Sequence, residues 1–127
     1  SRATAPAERL RRVAAVEGSA RLTDWLGAAW RATRKGGSVW LVHRTDRLDE
    51  ILAGFAALQA GGCTVIPVWP RAGENAHRML VRCRKNDASP FALRPGLVLH
   101  DATGGFTPAA EKILRDGWAL DDALASL

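Results

Sequence analysis

The 127-residue sequence predicts an α/β domain built around a pair of parallel strands. The first observation is the segment 39–42 (VWLV), which is apolar on both strand faces. The second is an amphipathic helix pattern directly after it, and the third is a further apolar strand over 63–69. A strand, a helix and a strand within about thirty residues form a βαβ crossover, whose two strands are parallel. Strands that are apolar on both faces belong in a sheet that is covered on both sides.

The first elements in chain order are a helix and strand 38–43. Residues 1–12 are polar, alanine-rich and basic, and we expect a mobile N-terminal segment over residues 1–20. The helix is predicted from Thr23 and Asp24 to the Gly36–Gly37 stop. Its apolar stripe, at helical spacing, consists of Leu22, Trp25, Leu26, Ala29 and Trp30.

A second helix is predicted after strand 38–43, with Asp46 as its capping residue and Gly61–Gly62 as its end. Its inner stripe is Leu48, Ile51, Leu52 and Phe55. Strand 63–69 follows, and it contains Pro67. Because proline cannot donate a hydrogen bond to a neighbouring strand, Pro67 predicts a position at the sheet edge or at a bulge, with the edge favoured.

Strand 77–84 alternates between apolar and basic residues and is expected to return antiparallel to strand 63–69. Met79, Val81 and Cys83 share one face. The other face carries Arg78, Arg82 and Arg84, with Leu80 between them, which predicts one buried and one basic face. A short run over 97–100 precedes the last predicted helix, which starts with Thr107 as the cap and Pro108 in the first turn.

Strand 38–43 has no obvious partner on one of its edges. Run 97–100 could pair there, but Pro95 and the neighbouring glycines make it the less favoured partner. A bare apolar edge favours association. We therefore expect a homodimer, formed through the edge of strand 38–43 or by exchange of the N-terminal helix.

Composition and charge limit the class of protein. The 47% hydrophobic and 24% charged content is that of a globular protein and argues against disorder and collagen-like structure. No apolar run is long enough to cross a membrane, so we expect no membrane partner and a cytoplasmic location. In that reducing compartment, Cys63 and Cys83 are expected to be buried thiols. Neither they nor His43, His77 and His100 have zinc-ligand spacing, so no metal site is predicted.

The net charge of +5, mostly from arginine, favours a nucleic-acid partner without requiring one.

Several segments together resemble a known enzyme family. These are "KGG" before a strand, "LVHRTDRLDEIL", "VIPVWPRAGENAHRMLVRCRK" and "LVLHDATGGFTPAAEKIL". They resemble the C-terminal half of the bacterial tRNA(Val) (adenine-N6)-methyltransferases, which are class I S-adenosylmethionine (SAM)-dependent methyltransferases. The likeness extends over about residues 1–114.

The resemblance implies a partial Rossmann-like methyltransferase fold without the first half of its sheet. Strands 38–43, 63–69 and 77–84 would be strands five, six and seven, with the antiparallel seventh between the other two. The family binds SAM through a glycine-rich loop and holds the target adenine with an N-P-P-[FY] motif. Neither motif is in this sequence. The resemblance therefore implies a substrate-side part of an enzyme whose cofactor is SAM and whose partner is tRNA, with no catalytic or cofactor-binding residue in this chain. We expect the chain alone to be inactive.

The candidate RNA-binding residues are His43, Arg44, Arg71, Arg78, Arg82 and Arg84. His43 and Arg44 end a parallel strand, where open α/β sheets place their ligand crevice. The alternatives are a pairing of Arg44 with Asp46 or Asp49 and a half-buried structural His43. The arginines of strand 77–84, with Lys85, could follow an RNA backbone or form a solvated face. The alternative function is a basic RNA-binding or assembly module without chemistry.

Overall fold

The computed structural model describes residues 19–116 and shows a mixed sheet with three helices. The helices are α1 (Ser19–Ala32), α2 (Leu48–Ala57) and α3 (Pro108–Asp116), and a 3-10 turn over Thr45–Arg47 precedes α2. The strands are β1 (Ser38–Arg44), β2 (Gly61–Trp69), β3 (Arg78–Arg84), β4 (Ala92–Leu93) and β5 (Leu97–Val98). No helix in this range is long and apolar enough to cross a membrane. The mobile segment expected over residues 1–20 lies outside the described residues, except for Ser19 and Ala20, which belong to α1.

The three long strands have the order that the resemblance implies. β3 lies between β1 and β2 and is antiparallel to both, so β1 and β2 run in the same direction. Val81 of β3 is paired with Leu41 on one side and with Val65 on the other. The partial methyltransferase-like α/β fold, with an antiparallel strand inserted between two parallel ones, is therefore confirmed.

The prediction that β2 lies at the sheet edge was wrong. β4 and β5 pair in parallel with its outer side, at Thr64–Val65 and at Val68–Trp69. Pro67 lies between these two short pairings, where its Cδ atom faces Gly96 in the turn that joins β4 to β5. Proline has no backbone N–H to donate, and Pro67 lies where the hydrogen bonds between β2 and its outer neighbours are interrupted. Run 97–100 accordingly pairs with β2 and not along β1, so the alternative partner for β1 is also excluded.

Both faces of β1 are buried, as the sequence predicts. On one face Val39 and Leu41 belong to the main core, where α1 and α2 pack on the sheet through Leu26, Ile51 and other side chains. On the other face Trp40 packs in a second cluster with Ile66 and Leu80, and Val42 lies against it. Each of these large side chains stabilises the fold by roughly 1.5–3 kcal/mol through burial.

Two predicted helix starts differ from the structure. α1 is already helical at Ser19, four residues before Thr23, because its apolar stripe begins at the buried Leu22. Asp46 does not cap α2: it lies within the 3-10 turn and accepts a hydrogen bond from Arg44. The predicted start of α3 is confirmed, since the Thr107 hydroxyl accepts a hydrogen bond from the Ala110 N–H at 3.2 Å.

Cys63 and Cys83 are bonded to each other, so the prediction of two thiols was wrong. Both residues are buried, as expected, with 8% and 0% of their surface exposed. They lie on neighbouring strands with Cα atoms 4.0 Å apart, and their sulfur atoms form a disulfide. Thr64 is paired with Arg82 and Val65 with Val81, so the same register of β2 and β3 places Cys63 opposite Cys83. The two cysteines are 20 residues apart in the sequence, so the sequence alone does not indicate that they are in contact.

Candidate functional site

The carboxyl ends of β1 and β2 and the start of β3 lie at the same end of the sheet. The loop over 70–77 joins β2 to β3 there and is fixed by backbone contacts. The Thr45 N–H donates to the His77 carbonyl at 3.1 Å, and the Thr45 hydroxyl donates to the Ala76 carbonyl at 2.8 Å. On the other side, the His100 N–H donates to the Pro70 carbonyl at 3.0 Å. The sheet end is therefore an ordered platform, at the position where α/β proteins hold their ligands.

An open cavity of about 430 Å³ lies at this end, on the face of the sheet that α2 covers. Its apolar walls come from Leu48, Val65, Pro67, Ala76, Met79 and Leu93, and its polar lining from Thr45, Trp69, Asn75 and His77. The Trp69 indole N–H donates to the Pro95 carbonyl at 2.9 Å, so the ring is held in place. This size and this mixture of apolar walls with a few polar groups suit a small planar ligand such as a nucleobase.

None of the candidate RNA-binding residues predicted from the sequence lines this cavity. Asn75 and His77 belong to a loop that has no periodicity, and Leu93 belongs to a two-residue strand. The cavity forms because the 70–77 loop folds back toward Thr45. No short-range pattern in the sequence predicts that the 70–77 loop contacts Thr45.

His43 and Arg44 lie together at the end of β1 but on opposite faces of the sheet, since successive strand residues alternate. His43 is half-buried, and its Nδ1 accepts a hydrogen bond from the Arg44 N–H at 2.9 Å. Arg44 is exposed, and its Nε lies 3.1 Å from Oδ1 of Asp46. The alternative pairing of Arg44 with Asp46 is therefore present. An ion pair this exposed is worth less than about 1 kcal/mol, so it can be exchanged for another anion.

Arg78 is the cross-strand neighbour of Arg44. The two residues are directly opposite each other in the β1–β3 register, and both are exposed. Like charges in this position destabilise a sheet unless an anion lies between or beside them. Asp46 is the acid paired with Arg44, and the Arg78 guanidinium donates to the His77 carbonyl at 3.4 Å, with no acid paired to it among residues 19–116. The pair therefore provides a local excess of positive charge at the sheet end.

Arg71 is exposed in the 70–77 loop, with its guanidinium 3.9 Å from the carboxylate of Glu74. It lies at the same end of the sheet as Arg44 and Arg78, because its loop joins the end of β2 to the start of β3. The structure thus places three of the predicted arginines, and His43, around one end of the sheet.

Arg82 and Arg84 are not part of that group. Arg84 is six residues from Arg78 along β3, which is roughly 20 Å. Both side chains are half-buried: the Arg82 guanidinium lies 5.8 Å from the centre of the Trp40 ring, and Arg84 Nε donates to the Ser38 hydroxyl at 3.4 Å. The expected basic face of β3 is therefore correct only at Arg78. The buried Leu80 and the contact of Arg82 with Trp40 make the rest of that face part of the fold.

None of the glycine pairs among the described residues has the G-x-G-x-x-G spacing of a nucleotide-binding loop. Such a loop joins the end of a strand to the start of a helix. Gly36 and Gly37 follow a helix, Gly61 and Gly62 begin β2, and Gly104 and Gly105 lie in the turn between β5 and α3 without that spacing. Within residues 19–116, no three His, Cys, Asp or Glu side chains come together in a group that could hold a metal ion.

Comparison with known proteins identifies similar solved structures. No protein-family model and no curated protein matches the sequence. Among solved structures, the chain is similar to a predicted O-methyltransferase, the protein Atu636 from Agrobacterium tumefaciens. The sequences are 29% identical, the TM-score is 0.69, and the match covers 74% of this chain and 45% of that chain.

The chain has a methyltransferase fold. It spans about half the length of this neighbour. The similarity supports the methyltransferase part of the family resemblance, whereas the tRNA adenine-N6 specificity is not part of it.

Proposed function

We propose that this chain is the substrate-side part of a SAM-dependent methyltransferase that acts on the N6 atom of an adenine in tRNA. The observation that carries the proposal is the sheet order, with antiparallel β3 between parallel β1 and β2, in a fold similar to a predicted O-methyltransferase. The finer statement, an RNA adenine as substrate, has its support in the sequence resemblance and in the chemistry of the sheet end.

The sheet end combines the two features that RNA recognition needs. Arg44, Arg71 and Arg78 supply exposed guanidinium groups, which bind phosphates in a bidentate manner. The cavity beside Trp69 and His77 supplies apolar walls and hydrogen-bonding groups for an unstacked base. RNA-modifying enzymes hold single-stranded bases in this way and follow the backbone through positive charge.

Because the sequence contains neither the glycine-rich loop nor the N-P-P-[FY] motif, we propose that the chain binds RNA but transfers no methyl group by itself. The test compares the 127-residue chain with the product of the complete reading frame that contains it, using SAM with a labelled methyl group and total tRNA. We expect labelled N6-methyladenosine only with the complete product. Methyl transfer by the chain alone, or transfer by the complete product to a small hydroxyl compound and not to tRNA, would contradict the proposal.

A basic RNA-binding module without chemistry is the second candidate. The observation that favours it is the group of exposed arginines at the sheet end, in a chain that has neither a SAM loop nor an N-P-P-[FY] motif. A complete reading frame that lacks both motifs, together with tight tRNA binding, would establish this candidate in place of the enzyme.

We further propose that the outer edge of β1 takes part in self-association. In the part of the chain that the structure describes, β1 is paired on one side only, with β3. An apolar strand with an unpaired edge can pair with a second copy. Sedimentation at increasing concentration should show a dimer, and a monomer at all concentrations would exclude this arrangement.

A further inference from the structure

A second cavity lies at the opposite end of β2 from the candidate RNA site. It has a volume of about 250 Å³ and opens between α2 and the connection from β3 to β4. Leu52 and Phe55 of α2 line one side, and Ser89 and Phe91 of the connection line the other. Cys63, one half of the disulfide, is part of its lining.

The two sulfur-bearing residues differ in access to this cavity. Cys63 lines the cavity and keeps 8% of its surface exposed. Both cysteines belong to the main core, but Cys83 is fully buried there and does not line the cavity. A small molecule in the cavity can therefore reach Cys63, whereas access to Cys83 requires local opening of the core.

We propose that Cys63 is a thiol-exchange site for small thiols of the glutathione class. The thiolate of the small molecule attacks Sγ of Cys63, a new S–S bond forms between them, and the Cys63–Cys83 bond breaks. Cys83 leaves as a thiolate and takes up a proton from water. In the reverse direction the Cys83 thiolate attacks Sγ of the modified Cys63 and expels the small thiol, so no further oxidant or reductant is needed.

The cavity suits this exchange because of its shape and its position. The 250 Å³ volume admits the thiol end of a small peptide, and Leu52, Phe55 and Phe91 supply apolar walls for it. The exposed Ser89 provides a polar group at the rim. Exchange here opens the link between β2 and β3 next to the irregular Gly61–Thr64 pairing, far from the sheet end that carries Arg44 and Arg78.

The test uses the single substitutions Cys63→Ser and Cys83→Ser, each of which leaves one thiol. Both folded variants are incubated with glutathione disulfide, and the uptake of one glutathione is followed by intact mass. We expect the Cys83→Ser variant, which retains Cys63, to be modified at least about tenfold faster than the Cys63→Ser variant. In denaturant the two rates should become equal, which controls for differences in intrinsic reactivity. Equal rates in the folded state, a faster Cys63→Ser variant, or no modification of either would overturn the proposal.

A second measurement on the unaltered chain avoids any dependence on the folding of the variants. The disulfide form is treated briefly with reduced glutathione, quenched with acid, alkylated in denaturant and mapped by peptide mass. We expect glutathione on Cys63 and the alkyl group on Cys83. The reverse assignment, or an even mixture of the two, would contradict attack from the cavity.

Discussion

The ammonium group of Lys85 lies 2.8 Å from the carbonyl oxygen of Trp30 and closes the C-terminal turn of α1. It also donates to the Thr33 carbonyl at 2.9 Å and lies 5.7 Å from the centre of the Trp30 ring. The last carbonyls of a helix have no partner within the helix, and they carry the negative end of its dipole. A residue that follows β3 therefore caps the first described helix and joins the two elements.

The substitution Lys85→Met should destabilise the chain by about 1–3 kcal/mol, because two charge-assisted hydrogen bonds are lost in a half-buried position. Urea denaturation measures the change. Lys35→Met is the matched control, since Lys35 is an exposed lysine just after the same helix. Equal effects of the two substitutions would show that the contacts of Lys85 contribute little.

Gly96 stands where β2 and the β4–β5 turn approach most closely. Its φ is +98°, and an added Cβ atom would lie 2.5 Å from the Pro67 carbonyl oxygen. Gly73 also has a positive φ, +84°, but nothing lies within 4 Å of an added Cβ. A substitution at Gly73 therefore introduces backbone strain alone, whereas one at Gly96 introduces backbone strain and a steric clash.

We predict that Gly73→Ala costs about 1–2 kcal/mol from backbone strain alone. Gly96→Ala should cost a further 1–3 kcal/mol, approximately, because the backbone of Pro67 must move. It should also alter the fluorescence of Trp69, whose indole N–H is bound to the neighbouring Pro95 carbonyl. Urea midpoints and tryptophan emission check both effects. If Gly96→Ala were as stable as Gly73→Ala, the β4–β5 turn would not lie in close contact with Pro67.

Asp101 organises the turn before α3. The hydroxyl and N–H of Thr103 donate to its carboxylate at 2.6 and 2.9 Å, and the Gly105 N–H donates at 3.1 Å. These hydrogen bonds, with the Thr103 hydroxyl first, lower the pKa of Asp101 below its ordinary value. The carboxylate therefore supports the turn fully above the ordinary carboxyl pKa of about 3.9, and this support is lost as the pH falls through the lowered pKa.

Carbon NMR of the Asp101 carboxyl group should show titration below that ordinary value. Thr103→Val, which removes the hydroxyl, should raise the pKa of Asp101, whereas Thr103→Ser should leave it low. An unchanged pKa in Thr103→Val would mean that the hydroxyl does not bind the carboxylate in solution.

The sequence predicted the long elements of this fold because their periodicity is strong. Trp40 is apolar among apolar neighbours on β1, and its burial on the second face follows directly from that pattern. Pro67 misled the edge assignment because β4 and β5 are only two residues each. A strand of two residues is too short to show an alternation of apolar and polar residues. Its pairing depends on tertiary contacts such as that between Gly96 and Pro67.

The sequence places Arg44 at the carboxyl end of β1, and the structure adds that Arg78 lies directly opposite it. The distance of Arg84 from this end could not be predicted, because strand alternation gives the face of a residue and not its neighbours on other strands. The cavity and the disulfide depend on contacts between segments that are distant in sequence, which no local pattern encodes.

The most direct test of the account is the salt dependence of tRNA binding by the 127-residue chain. The double substitution Arg44→Ala with Arg78→Ala should weaken binding and reduce the slope of log K against log salt concentration by about 2. Arg21→Ala with Arg31→Ala is the control, because it removes the same charge from exposed positions of α1. We predict an unchanged slope for the control. Equal slopes for the two double variants would contradict an RNA-binding surface at this end of the sheet.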